Sequence, residues 1–185
     1  SSPNISGTYS LNYKVIEGLY IGSTISGTLV NSKCNEFYGK DTPWGYYLQG
    51  RAALTNSQWW GWDNINTVSY DKAFKNNTKL SAVGAFELSG SKYEYNSIIK
   101  SNFGDETTKY NDISKGVTLQ DASSDAGPTH RVSFLGRINY NIFDKYLFTA
   151  SLRADGSDRF GKDNRWGYFP SMAFAWRISE EKFMK

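Results

Sequence analysis

The sequence predicts an all-β fold, namely a segment of an antiparallel, up-and-down transmembrane β-barrel. Three observations lead to this prediction. Apolar and polar residues alternate through the last third of the chain, the alternating runs are long enough to cross a membrane, and short and long connections alternate between them. A tilted strand needs roughly 9 to 11 residues to cross a bilayer. A helical membrane protein is excluded because no apolar run approaches the roughly 18 residues of a helical span.

The clearest strands lie between Arg131 and Lys185. Successive side chains of a strand point to opposite faces, so the alternation separates an apolar face from a polar face. We expect a hairpin over about 131–155 and a further strand over 166–178. The middle run shows the pattern through its apolar residues: Tyr146, Phe148, Ala150, Leu152 and Ala154.

Two fainter hairpins are expected over about 5–30 and 57–89. Long connections are expected over about 31–56, 90–130 and 156–165. Tight turns are expected at Glu17-Gly18, Asn76-Asn77, Asp144-Lys145 and Glu180-Glu181. Outer-membrane barrels combine short periplasmic turns with long external loops, so we place the short turns on the periplasmic side.

This reading gives about seven strands, with an eighth beginning after Phe183. Barrels closed by a single bacterial chain have an even number of strands. An open sheet edge in lipid would also leave backbone groups unpaired. We therefore expect the chain to be an internal segment of a larger barrel.

Composition limits the functional classes. The 6 Trp, 13 Tyr and 11 Phe suit two aromatic girdles at membrane interfaces, although a soluble glycan-binding module would use them too. A net charge of +3 with dispersed basic residues does not favour binding to nucleic acid. His130 is the only histidine, so we expect no His-based catalytic relay or multi-His metal site, no cofactor and no enzyme activity. Cys34 is expected to be an unpaired thiol in a loop.

A motif lies across the last predicted loop. The stretch RADGSDRFGKDNRWGYFP from Arg153 to Pro170 is followed by SMAFAWRISEEKFM. It resembles the SusC/RagA family of TonB-dependent outer-membrane transporters of Bacteroidetes-type bacteria, whose members typically carry ASxRADGSSRFG, RWGYFPS and WRISEExF. Ser157-Asp158 replaces the commoner Ser-Ser. The upstream segments GRINYNIFDKYLF, NTVSYDKAF and LSAVGAFE also look like hairpins of that family.

The resemblance implies a plugged barrel of about 22 strands, located in the outer membrane, that imports nutrients such as glycans or peptides. It also implies a SusD-like surface lipoprotein as a partner. Energy would come from the TonB complex through an N-terminal TonB box and plug domain, which we do not find in this sequence. The alternatives are a soluble all-β glycan-binding module and an outer-membrane enzyme.

Four charged residues are expected on the polar faces of consecutive strands, where they would line the lumen: Arg137, Arg153, Asp155 and Arg177. The simpler interpretation is structural pairing among themselves or with a plug. The sharper hypothesis is that they line the path of the substrate.

An aromatic cluster is expected in and after the first long connection. Trp44, Tyr46 and Tyr47 are candidates for contact with a ligand or partner, because flat aromatic faces can stack on sugar rings. Trp59 and Trp60 lie at a strand margin, where an interfacial girdle is the simpler interpretation. Trp44, beside Pro43 and Gly45, is the stronger contact candidate.

A periplasmic aromatic belt is expected from apolar-face residues close to the short turns: Tyr13, Tyr70, Tyr140, Tyr146 and Trp176. The segment 155–164 has the composition of a calcium loop but lacks the D-x-[DN]-x-[DN]-G-x5-E spacing. A turn with local side-chain caps is the better interpretation.

Overall fold

The computed structural model describes residues 3–161 and 164–184, and β-strands dominate that part of the chain. Seven strands occur there: β1 (Asn4–Ile16), β2 (Leu19–Tyr38), β3 (Arg51–Phe74), β4 (Thr78–Phe103), β5 (Gly116–Ile142), β6 (Tyr146–Ser157) and β7 (Trp166–Trp176). Within the described ranges, one short α-helix, α1 (Pro43–Tyr46), lies between β2 and β3, and two 3-10 helices (Lys109–Asn111 and Ile113–Lys115) lie between β4 and β5. No helix among the described residues is long and apolar enough to cross a membrane.

The strands form one sheet in chain order, β1-β2-β3-β4-β5-β6-β7. Pairing is antiparallel, with Tyr146 opposite both Ile142 on β5 and Trp176 on β7. The ladder keeps apolar residues beside apolar residues, as in the pairs Phe148–Phe174 and Tyr140–Phe148. The predicted up-and-down antiparallel sheet is therefore confirmed.

The short turns follow the predicted positions with one shift. Gly18 takes a φ of +80° between β1 and β2, a conformation that glycine reaches without steric cost. Asn76 and Asn77 both take positive φ between β3 and β4, as asparagine tolerates better than most residues. Between β5 and β6 the left-handed pair is Phe143-Asp144, one residue earlier than expected.

Two of the three long connections are much shorter than the sequence predicts, whereas the third, expected over 156–165, lies between Ser157 and Trp166. β2 continues to residue 38 and β3 begins at 51, while β4 continues to 103 and β5 begins at 116. The expected loops over 31–56 and 90–130 are thus mostly strand, and Cys34 lies in β2. Polar residues on both faces conceal these strand extensions, because the period-2 pattern depends on one buried face.

The end of the chain departs from the strand pattern. β7 ends at Trp176, and the described residues that follow form 3-10 turns at Ile178–Glu180 and Lys182–Met184. The strand predicted over 166–178 is therefore two residues shorter. Arg177 lies just beyond it, where its backbone N–H donates to the Lys145 carbonyl at 2.8 Å.

The chain divides into two compact units. The loop-side unit comprises Ser1–Ser6, Thr28–Gly61 and Ser91–Pro128, and the turn-side unit comprises Gly7–Gly27, Trp62–Gly90 and Thr129–Lys185. Among the described residues, the fully or nearly buried hydrophobic side chains Ala52, Ala53 and Phe103 all lie in the loop-side unit. In the described part of the turn-side unit, no large apolar side chain is buried, and many of them are exposed.

Candidate functional site

The apolar face of the turn-side unit consists of side chains that no second layer covers. Met172 is 86% exposed, and Phe174 and Leu152 are more than half exposed. The rings contact each other along the sheet, with centroids 4.9 Å apart for Phe148–Phe174 and 5.0 Å for Phe86–Phe134. In a soluble sandwich, a second sheet would cover such a face. The described residues form a single sheet, so this face suits contact with lipid.

Aromatic residues stand at both ends of this apolar face. Tyr146 stacks on Trp176 at the turn end, with centroids 6.5 Å apart. Trp166 lies ten residues before Trp176 on β7, opposite Gly156. At about 3.4 Å per residue and a tilt of 35–45°, ten residues span about 25 Å along the membrane normal, the height of the apolar band of outer-membrane barrels.

The other residues proposed for the belt also lie near turns. Tyr13 is three residues before the end of β1, Tyr70 is four before the end of β3, and Tyr140 is two before the end of β5. Tyr13 and Tyr140 are exposed, and Tyr70 is half-buried. Their assignment to a membrane interface remains a prediction.

Glu181 links the end of β7 to the β5–β6 turn through hydrogen bonds. Its carboxylate accepts hydrogen bonds from Tyr146 Oη at 2.7 Å, Lys145 Nζ at 2.9 Å and Trp176 Nε1 at 3.3 Å. The Tyr146 hydroxyl, followed by Lys145, lowers the pKa of Glu181 to about 2. From the sequence, Glu181 was expected only as part of a turn, and these three hydrogen bonds were not predicted.

The polar face carries an ion cluster centred on Arg153. Its Nε donates to both carboxylate oxygens of Asp155 at 2.9 Å, and an Nη atom lies 3.7 Å from the Glu87 carboxylate. The same guanidinium reaches Ser133 Oγ at 3.4 Å, and Ser133 is only 3% exposed. One cation thus joins β4, β5 and β6 through two carboxylates and a hydroxyl.

The structure brings together only two of the four charged residues singled out from the sequence. Arg153 and Asp155 are bonded, as expected for structural pairing. Arg137 is exposed and lies opposite Ser151 in the β5–β6 ladder. Arg177 was expected on the polar face of a strand, but the backbone leaves the strand conformation after Trp176. Glu87 completes the cluster, and the alternation of β4 around Phe86 could have placed it on the polar face.

The aromatic cluster of the loop-side unit stands on a short, well-anchored helix. Thr42 caps α1, because its hydroxyl accepts from the Gly45 N–H at 3.0 Å, and Pro43 occupies the first turn. Trp44 is 76% exposed and Tyr47 is 88% exposed. Tyr46 packs edge-on against Tyr47, with centroids 5.4 Å apart. We call Trp44, Tyr46 and Tyr47 the aromatic platform.

The backbone beneath the platform is fixed by the loop-side unit. A methyl group added at Gly45 would lie 2.1 Å from the Gly39 carbonyl oxygen, so the helix contacts this segment closely. The Phe103 N–H donates to the Gln49 carbonyl at 2.8 Å, and the Phe103 ring packs edge-on against Phe37 at 5.5 Å. Hydrogen bonds and ring contacts therefore hold the backbone that carries the exposed rings.

A second set of contacts lies where β6 ends, beside the middle of β5. Asp158 accepts hydrogen bonds from the His130 backbone N–H at 2.8 Å and lies 2.8 Å from its ring Nδ1. The His130 backbone, followed by its side chain, lowers the pKa of Asp158 below the usual range. Residues 162 and 163 of the segment weighed as a calcium loop lie outside the described residues. Across residues 3–161 and 164–184, His, Cys, Asp and Glu form no group suited to a metal ion.

Comparison with known proteins gives a consistent result. The TonB-dependent receptor P26 of Formosa agariphila is 36% identical over 188 residues, covering 98% of this chain and 19% of the receptor. The TonB-dependent receptor SusC of Bacteroides thetaiotaomicron is 59% identical over 54 residues, covering 29% of this chain and 5% of SusC. No family model matches.

Solved structures show the same fold. A chain of the RagAB peptide transporter superposes with a TM-score of 0.80 at 20% identity, covering 99% of this chain and 21% of the transporter chain. The chain therefore spans about a fifth of the length of P26 and of this RagAB chain. Sequence identity to P26 over nearly the whole chain and to SusC over 54 residues confirms the resemblance, and the solved structures show the same fold. The chain belongs to the SusC/RagA family of TonB-dependent receptors.

Proposed function

We propose that the chain forms part of the barrel wall of an outer-membrane transporter that imports nutrients such as glycans or oligosaccharides or peptides. The observation that carries this proposal is the uncovered apolar face, about 25 Å high between its aromatic ends. Membership of the SusC/RagA family supports it, as does the likeness to a peptide transporter. On this proposal, residues 1–185 belong wholly to the barrel domain.

The proposal gives each face and end of the sheet a role. The apolar face contacts lipid, and the polar face, with Arg153 and Asp155, faces a water-filled lumen or a plug domain. The short turns face the periplasm, as is usual in outer-membrane barrels. Coupling to the TonB complex and pairing with a SusD-like surface lipoprotein belong to the whole transporter.

Fractionation of the full-length gene product tests the membrane assignment. We expect it in the outer-membrane fraction, with detergent required for extraction. Deletion of the gene should abolish growth on the glycan or peptide that the transporter imports, and the gene supplied in trans should restore it. A full-length product that stays soluble without detergent would refute the proposal.

A narrower proposal concerns two arginines of the polar face. We propose that Arg153 is mainly structural, because both carboxylates near its guanidinium hold it in place. Arg137, exposed and outside that cluster, is the stronger candidate for a residue of the substrate path. Arg137→Gln should slow uptake while barrel assembly stays normal, with Ser151→Ala, its cross-strand neighbour, as the control. Unchanged uptake in Arg137→Gln would remove that assignment.

The aromatic platform is proposed to contact a ligand or the surface lipoprotein. Its rings are exposed and stand on a backbone held by the loop-side unit, so they are available for contact. Trp44→Ala should weaken capture of the lipoprotein or uptake of the nutrient without changing barrel stability, and Trp44→Phe should retain part of the effect. Wild-type behaviour of Trp44→Ala in both assays would exclude this role for Trp44.

A further inference from the structure

A groove of about 550 Å³ crosses the apolar face of the turn-side unit. Small residues form its floor and large side chains form its walls, the principal ones being Gly84, Gly136 and Ala154 below and Phe86, Phe134 and Leu152 beside them. Space above Gly136 is open, since a methyl group added there would meet nothing within 4 Å. The volume lies within the roughly 300–1,000 Å³ of small-ligand sites.

The groove lies at a defined depth. Gly84 is six residues from the turn end of β4, Gly136 six from that of β5, and Leu152 six from that of β6. Phe86, Phe134 and Ala154 are eight residues from the same ends. At about 3.4 Å per residue and a tilt of 35–45°, this places the groove about 15–20 Å above the turns. Trp166 stacks on Phe134 at 6.1 Å and marks its upper limit.

One end of the groove is polar. Asn66, which helps to line it, donates from Nδ2 to Asn64 Oδ1 at 2.6 Å. Asn64 in turn donates to Ser23 Oγ at 3.4 Å and to the Thr24 carbonyl at 3.3 Å. These side chains share the face of Val68, whose methyl group lies beside Gly84.

Amides on a lipid-facing surface need hydrogen-bond partners, because water is scarce there. Asn66 is eight residues and Asn64 ten residues from the turn end of β3, which places them toward the external interface. At that level the polar groups that begin each acyl chain of a bilayer lipid are within reach. The carbonyl of Asn66 can accept from a hydroxyl or amide, and its second N–H can donate to an ester carbonyl.

We propose that this groove binds one lipid of the external leaflet. Its acyl chain lies over Gly84, Gly136 and Ala154, beside the contacting rings of Phe86 and Phe134, and the first polar group of that chain hydrogen-bonds to the Asn66 amide. The proposal relies on the membrane placement of the apolar face proposed above. It adds a specific lipid site to a surface that otherwise contacts lipid without selection.

Native mass spectrometry of the full-length receptor in detergent tests the site, with dimyristoyl phosphatidylethanolamine as the probe. Gly136→Phe fills the groove. Ala150→Phe places the same ring on the same face of the sheet, outside the groove lining, and is the matched control. Asn66→Leu removes only the polar end. Ala154→Leu provides a second filling variant if Gly136→Phe fails to assemble.

We expect wild type and Ala150→Phe to retain one lipid at equal affinity. The filling variant should bind at least tenfold more weakly, and Asn66→Leu about threefold to tenfold more weakly, as the loss of one hydrogen bond predicts. Equal retention by Gly136→Phe and Ala150→Phe would overturn the proposal. So would a second receptor copy occupying this face in place of lipid. Outer-membrane fractionation of the same variants tests the membrane placement separately. Variants found in the outer membrane that bind lipid equally would refute only the lipid site, whereas absence of the receptor from the outer membrane would refute the proposed placement.

Discussion

Met172 and Ser171 are adjacent residues of β7 on opposite faces of the sheet, so an arginine at each position tests which face contacts lipid. Met172 lies four residues from Trp176 and six from Trp166, about 10 Å from one aromatic end and about 15 Å from the other. This places it close to the middle of the apolar band. Arginine on the lipid face at that depth costs about 2–4 kcal/mol, and near an interface about 0–1 kcal/mol.

We therefore expect Met172→Arg to lower the free energy of unfolding by about 2–4 kcal/mol and Ser171→Arg by less than about 1 kcal/mol. Guanidinium titration of the full-length receptor in lipid vesicles measures both. Met172→Leu keeps the apolar character and controls for loss of the native side chain, and it should be nearly neutral. Equal costs for the two arginines, or a larger cost at Ser171, would show that the apolar face does not contact lipid.

Three further substitutions test contacts within the turn-side unit by guanidinium titration of the full-length receptor. Arg153→Leu should cost about 1 kcal/mol, because Asp155 is left unpaired on a partly hydrated face. The cost should be smaller in the Asp155→Asn background, and a cost equal to that in wild type would mean that the pair is uncoupled. Gly18→Ala should cost about 1–3 kcal/mol, because φ is +80° and a backbone oxygen of β3 would lie 2.1 Å from the new methyl group. Gly7→Ala is the control and should be neutral, because its new methyl group would have no atom within 4 Å. Glu181→Gln should destabilise at pH 7. Because folding lowers the pKa of Glu181 from 4.5 to about 2, the wild-type advantage should vanish as pH falls through that window, and an advantage independent of pH would contradict the assignment.

The sequence was informative where one face of a strand is apolar. Alternation from Tyr146 to Ala154 and from Trp166 to Trp176 predicted both faces, and the structure pairs these runs residue by residue. The alternation pattern did not predict strands that are polar on both faces. The first half of β5, residues 116–130, contains Asp, Ser, Gly and Pro, and only pairing with neighbouring strands makes it extended.

The sequence also predicted some contacts of the candidate residues and not others, depending on whether the contact lies within one strand or between separate elements. Arg153 and Asp155 are two residues apart on one strand, so their common face follows from the period of the strand. The contact with Glu87 depends on the packing of β4 beside β5, which a single strand does not encode. The capped helix that carries Trp44 was not predicted, although Thr42-Pro43, a threonine cap before a first-turn proline, is the signal that could have indicated it. The role of Glu181 required knowledge that the end of β7 lies beside the β5–β6 turn.

The strand order has a consequence for how the sheet assembles. Every neighbouring pair in it joins strands that are consecutive in the chain. The loops at 39–50 and 104–115 separate their strands by only about 12 residues, so the entropy of loop closure is small at each step. Each strand can dock on its predecessor as soon as it is available, and the sheet can grow from one end without waiting for distant segments. Only closure of the complete barrel then requires the meeting of residues far apart in the chain.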